Sequence, residues 1–171
     1  MAVEIIMLSV LRAGPVHGYE LKRRVQRTTL TSLSNNSLYP VLRRFEESGA
    51  VTKTIEEQTG RPDRKVYTIT DIGRQQLTDL ISTLPPALAT SEEEFLVRVS
   101  FFHELSVDQR RGILDVRAGV LDAAIAQVRA LIVESEKGTT REWRNLSMAH
   151  LVERFEGERH WITDLTTKAE S

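Results

Sequence analysis

Cysteine is absent from the 171 residues, which excludes disulfides, thiol nucleophiles and thiolate metal sites. No apolar run approaches the roughly 20 residues of a bilayer-spanning helix, so no membrane partner is expected. The opening Met1-Ala-Val-Glu-Ile-Ile6 lacks the basic start and cleavage site of a secretory signal, and a cytoplasmic protein is expected. Neither a Gly-rich phosphate loop nor a nucleophile elbow occurs, so catalysis has no residues to stand on and no cofactor is implied. His150-x-x-Glu153 and Glu156-x-x-x-His160 have helical ligand spacing. Such pairs arise readily in a charged helix, and no second helix offers a matching set, so no metal is expected.

The most informative stretch that is present is Asn36-Ser-Leu-Tyr-Pro-Val-Leu-Arg-Arg-Phe-Glu-Glu-Ser-Gly49. Pro40 belongs in a first helical turn, where a missing N–H costs no hydrogen bond, so a helix is expected to begin near residues 36–38. Asn36 or Ser37 supplies a capping oxygen, and Gly49 a left-handed stop. At helical spacing Leu38, Val41, Leu42 and Phe45 gather on one side. Asn36, Tyr39, Arg43 and, at the margin, Arg44 lie on the other. A helix with such a front end suits phosphates at its N-terminus and base edges along its outer face.

The net charge of −1 averages two unlike parts. Residues 1–83 hold 12 Lys/Arg against 9 Asp/Glu, and residues 84–171 hold 11 against 15. A basic module joined to an acidic one fits this asymmetry, although ordinary fluctuation accounts for it as well.

Along the chain, Val3 to Leu11 is apolar around much of a helix, ending at Ala13-Gly14-Pro15, and is expected to be buried on several sides or packed between subunits. A second helix is expected over Gly18–Gln26, and the Thr-, Ser- and Asn-rich residues 28–35 connect it to the third. Ala50–Ile55 reads as a strand, with Val51 and Ile55 set against Lys53, and Lys65–Thr70 as the returning strand of a hairpin. Thr70 or Asp71 caps a fourth helix carrying Leu77, Leu80, Ile81 and Leu84. Pro85-Pro86 marks a domain boundary, giving domains over 1–84 and 87–171. Beyond it, Ser91-x-x-Glu94, Ser106-x-x-Gln109 and Thr139-x-x-Glu142 are capping-box patterns. They open helices of about 12, 30 and 28 residues by apolar periodicity. The last two form a hairpin some 40 Å long by helical rise. Its apolar stripes need a partner, most economically a second copy of the chain.

The fold class is therefore mainly α: a winged helix-turn-helix with one β-hairpin, followed by an all-helical domain. The residues also resemble the PadR-type transcriptional regulators. His17-Gly-Tyr-Glu-Leu21, Ser37-Leu-Tyr-Pro-Val-Leu-Arg-Arg44 with Glu47-Ser-Gly49, and Gly60-Arg-Pro-Asp-Arg-Lys-Val-Tyr-Thr-Ile-Thr70 followed by Gly73 carry the match. The helical remainder resembles the larger subgroup of that family in pattern only. Asn36 stands where family members often have Gly; Asn tolerates the turn and adds a side chain near the DNA. The resemblance implies a homodimeric repressor that binds a palindromic operator on double-stranded DNA and releases it on binding a small molecule.

Within that frame, Tyr39 and Arg43 are the expected DNA contacts, with Arg44 beside them; Arg43 suits a guanine edge or a phosphate equally. Ser34, Asn35, Asn36 and Ser37 surround the helix entry, where capping competes with backbone contact. Arg61, Arg64 and Lys65 crowd the hairpin tip and suit phosphates or a minor groove. Tyr19, Lys22 and Arg23 on the second helix are placed for backbone contact. In the dimer, two reading helices would enter major grooves about 34 Å apart. On the last helix Trp143, His150, Arg154 and Trp161 fall within about 40° of one another. They suit an aromatic effector pocket or, equally simply, anchors in a dimer interface. The rival from another class is a winged-helix protein–protein adaptor, which a steep salt dependence of DNA binding would exclude.

Overall fold

The computed structural model describes residues 1–28, 35–57, 64–135 and 142–169. The chain divides into two compact units, Met1–Ile81 and Ser82–Ser171. Among the described residues it is mainly helical, with one small antiparallel sheet of three strands. No helix among them is long and apolar enough to cross a membrane.

The first unit runs α1 (Ala2–Arg12), β1 (Val16–His17), α2 (Gly18–Thr28), α3 (Asn35–Glu47), β2 (Val51–Glu56), β3 (Arg64–Ile69) and α4 (Asp71–Ser82). Helix α1 buries Ile5, Ile6, Met7, Leu8 and Leu11, as its all-round apolar pattern requires. Leu21 and Val25 of α2 and Leu77 and Ile81 of α4 complete the core. Each such side chain contributes about 2 kcal/mol of transfer free energy.

The sheet order is β1-β3-β2, with Val16 opposite Tyr67 and Val51 opposite Ile69. Strand β1 was not anticipated, because two residues are too few to display an alternation. The reading that set Val51 and Ile55 against Lys53 is also corrected. A period of two puts all three on one face. Only Val51 is buried; Lys53 Nζ reaches Glu46 Oε2 at 2.7 Å, and Ile55 is exposed.

Two glycines hold the hairpin in place. Gly49 adopts φ +73° directly after α3, the left-handed stop expected of it. A Cβ on Gly73 would lie 2.2 Å from the Ala50 carbonyl oxygen, so α4 can approach the root of β2 only without a side chain there. Thr70 fastens the same corner. Its hydroxyl accepts from Gly73 N at 3.2 Å and donates toward the carbonyls of Gly49 (2.7 Å) and Ala50 (3.1 Å).

Helix α3 begins at Asn35, earlier than the proline argument required, and Pro40 therefore sits in its second turn. The helix accommodates it at the expense of the hydrogen bond that residue 40 would give the Asn36 carbonyl.

The second unit contains a 3-10 turn (Pro86–Leu88), α5 (Glu92–Val99), a second 3-10 turn (Phe102–Glu104), α6 (Val107–Ser135) and α7 (Glu142–Ala169). Ser91 Oγ accepts from Glu94 N, and Ser106 and Gln109 form a reciprocal box at 3.3 and 2.9 Å. The box at Thr139 lies outside the described residues. Helix α5 is shorter than periodicity implied: Ser100 Oγ turns back to the Val97 carbonyl at 2.6 Å and the chain leaves into the 3-10 turn. Helices α6 and α7 run antiparallel, with Arg110 Nη1 donating to the Ala169 carbonyl at 3.4 Å.

Two arginines are buried in this unit. Arg98 is fully enclosed, its Nη1 bonded to Glu94 Oε2 (2.8 Å) and its Nε to the Thr83 carbonyl (2.6 Å). Arg117 sits over the Phe95 ring, 5.8 Å from its centroid, and donates to the Ala89 carbonyl at 2.6 Å.

Candidate nucleic-acid interface

The two faces of α3 separate as helical spacing requires. Leu38, Val41, Leu42 and Phe45 are buried, while Tyr39 is 47% exposed and the Arg43 side chain 81% exposed. Burial of the aliphatic face fixes the rotation of the helix, so Tyr39 and Arg43 must point outward.

Arg43 is held along that face by Glu47, one turn on, with Nε 2.8 Å from Oε1. The Glu47 bond, then its charge, raises the guanidinium above its ordinary range. Arg44 is also exposed, but it pairs with Glu4 of α1, which ties α3 to the first helix. Glu46 turns toward the hairpin and Lys53, so the two adjacent acids serve different faces.

Beside α3, the start of α2 and the tip-side half of β3 line an open cleft of about 550 Å³. Its lining includes His17, Tyr19, Tyr39, Arg64, Lys65 and Tyr67. Tyr19 is 77% exposed; Arg64 and Lys65 are exposed on β3. Tyr67 is buried against Gly18, where a Cβ would stand 3.2 Å from its ring. Burial pushes the Tyr67 phenol up, with the charges of Glu46 and Tyr39 adding to it.

On α2, Arg23 and Arg24 share Glu20 at 2.7 and 2.9 Å, and Lys22 is half-buried. The Arg24 hydrogen bond, followed by that of Arg23, holds the Glu20 carboxyl below its usual range. Asn35 and Asn36 open α3 and Ser37 follows them, but their side chains lie outside the described residues, as do Ser34 and Arg61. Thus Tyr19, Tyr39, Arg64 and Lys65 meet around one cleft, and Arg43 lies one turn beyond Tyr39 on the exposed side of α3. His17 was missed by sequence reasoning. Its Nδ1 is buried without a hydrogen-bond partner among the described residues, a feature that no sequence pattern signals.

The residues of the α7 stripe separate. Trp161 meets Phe95 of α5 edge-on, centroids 6.0 Å apart, and Arg154 Nη2 stands 3.8 Å from Glu92 Oε2. Trp143 and His150 are exposed.

Four helices, with the apolar face of α3 buried, and a β-hairpin give the first unit the arrangement of a winged helix-turn-helix module. Residues 7–79 match the Transcriptional regulator PadR-like family. Over 102 residues the chain is 28% identical to the Negative transcriptional regulator PadR of Bacillus subtilis, covering 58% of this chain and 56% of that protein. It is 40% identical over 84 residues to the "Probable transcriptional regulator Rv1176c" of Mycobacterium tuberculosis, covering 48% and 44%. The chain spans about half the length of these curated relatives. They are described as transcriptional regulators, not enzymes. The crystal structure of Bacillus subtilis PadR in complex with operator DNA aligns over 99% of both chains at 20% identity, with a TM-score of 0.46.

Proposed function

We propose that this chain is a transcriptional repressor that binds an inverted-repeat operator on duplex DNA as a homodimer. Helix α3 enters the major groove with Tyr39 and Arg43 at the bases, and Arg64 and Lys65 meet the flanking backbone. Tyr19 and Lys22 add backbone contacts from α2, and Asn35, Asn36 and Ser37 lie at the entry of the reading helix. One observation carries the reading: α3 buries its whole aliphatic face and leaves a Tyr/Arg face open beside a basic cleft.

The dimer forms through the second unit. Trp143 and Leu146 on α7 and Val133 on α6 are exposed apolar side chains on two long helices, as expected of a surface covered by another copy. A small aromatic effector acting on α7, near Trp161 and Arg154, would alter the angle of the α6–α7 hairpin and so the spacing of the reading helices. The protein is cytoplasmic in this reading.

Selection of bound sequences from random duplex DNA tests it. An inverted repeat with half-sites about one helical turn apart is expected, with affinity falling steeply as salt rises. Absence of any enriched sequence, or binding indifferent to salt, would sink the proposal.

A further inference from the structure

We propose that Glu47 is a positioning residue that commits Arg43 to reading a guanine edge rather than a phosphate. The inference rests on α3 facing duplex DNA, as argued above. Arg43 donates to Glu47 through Nε, the inner nitrogen of the guanidinium. That bond fixes the plane of the group. Both terminal nitrogens have no partner among the described residues, on a side chain that is 81% exposed. A held plane with a pair of outward N–H groups matches O6 and N7 of guanine in the major groove.

The carboxylate also selects by charge. Glu47 is itself 58% exposed, and its negative charge beside Arg43 repels phosphate oxygens, whereas the guanine edge is uncharged. Helix support explains the pair poorly. A glutamate in the last turn of α3 opposes the helix dipole, and Arg preceding Glu by four residues is the weaker of the two orders. Tyr39, Arg43 and Glu47 recur every four residues, so the acid extends the reading stripe rather than a packing face.

The protein and its variants Glu47→Ala, Glu47→Gln and Arg43→Ala are each put through selection on random duplex DNA. Affinity is then measured on the enriched duplex and on copies with each guanine replaced. The unsubstituted protein should favour one symmetry-related guanine on the order of tenfold, and Arg43→Ala and Glu47→Ala should both lose that preference. Glu47→Gln still offers an amide oxygen to Nε and should retain the preference, while binding unrelated duplex more tightly. In Glu47→Ala the released guanidinium should steepen the log–log salt slope by about one. Guanine preference surviving in Glu47→Ala but not in Arg43→Ala would overturn the role of Glu47 and leave the DNA-reading helix standing. Uniform loss across all duplexes in Glu47→Ala would overturn it too. Failure of the unsubstituted protein to enrich any duplex would remove the underlying reading instead.

Discussion

Arg117 and Glu158 face each other across α6 and α7 as a two-pronged ion pair, Nε to Oε1 at 2.8 Å and Nη2 to Oε2 at 2.7 Å. The third donor of Arg117 is taken by the Ala89 carbonyl, so the buried charge is satisfied on several sides. Removing one partner strands the other in a dry site. Arg117→Ala should therefore cost about 3 kcal/mol, read as a lower midpoint in chemical denaturation. Replacing the pair together, Arg117→Met with Glu158→Leu, should recover most of that loss. A double variant as unstable as Arg117→Ala would mean that the Ala89 bond carries the effect.

Gly73 is a packing requirement. Gly73→Ala drives a methyl into the Ala50 carbonyl and the Ile69 side chain (2.7 Å), and should destabilise the first unit by about 2 kcal/mol. Thermal melting followed by circular dichroism reads it. Gly112→Ala on α6, where nothing lies within 4 Å of the added Cβ, should be neutral or slightly stabilising by about 0.5 kcal/mol and serves as the control.

Arg43 and Tyr39 are exposed and hold no core together. In the proposed function, Arg43→Ala and Tyr39→Ala should each weaken binding to the selected operator by about tenfold in a gel shift. Their melting temperatures should stay at that of the unsubstituted protein. Unchanged affinity in both variants would argue that α3 faces something other than DNA.

Tyr67 makes an alkaline prediction whose sign is fixed. Its phenol is raised above the ordinary value of 10.0. On passing pH 10 the unfolded chain releases this proton first, so the folded state loses stability as pH rises further. Below that value the contribution is fully present. Tyr67→Phe should flatten the loss above pH 10 in denaturation series at stepped pH. An unchanged alkaline slope would show that another group governs it.

The amphipathic halves of α3 were legible because burial on a helix follows its period, and Leu38 through Phe45 carry that period without interruption. Gly49, Thr70 and Gly73 were legible as a motif, but the reason for Gly73 was not. A 2.2 Å approach to a carbonyl is a property of two distant segments meeting. Nothing in the sequence singled out Arg98 and Arg117 for burial, since the Thr83 and Ala89 carbonyls and the Glu158 carboxylate that they meet come from other segments. Ile55 misled because a strand can continue past the helix that covers its start. Of the candidate interface, the outward Tyr/Arg stripe could be read from spacing. Its enclosure by His17 and Tyr67 depended on β1, which no alternation announced.

That short strand has a mechanical consequence. Because Val16 and His17 pair with Tyr67 and Val66 of β3, the hairpin is stitched at its middle to the residues that begin α2. A load applied to Arg64 or Lys65 is thus transmitted through the backbone to Gly18 and Tyr19, and the arm and the second helix turn as a single lever.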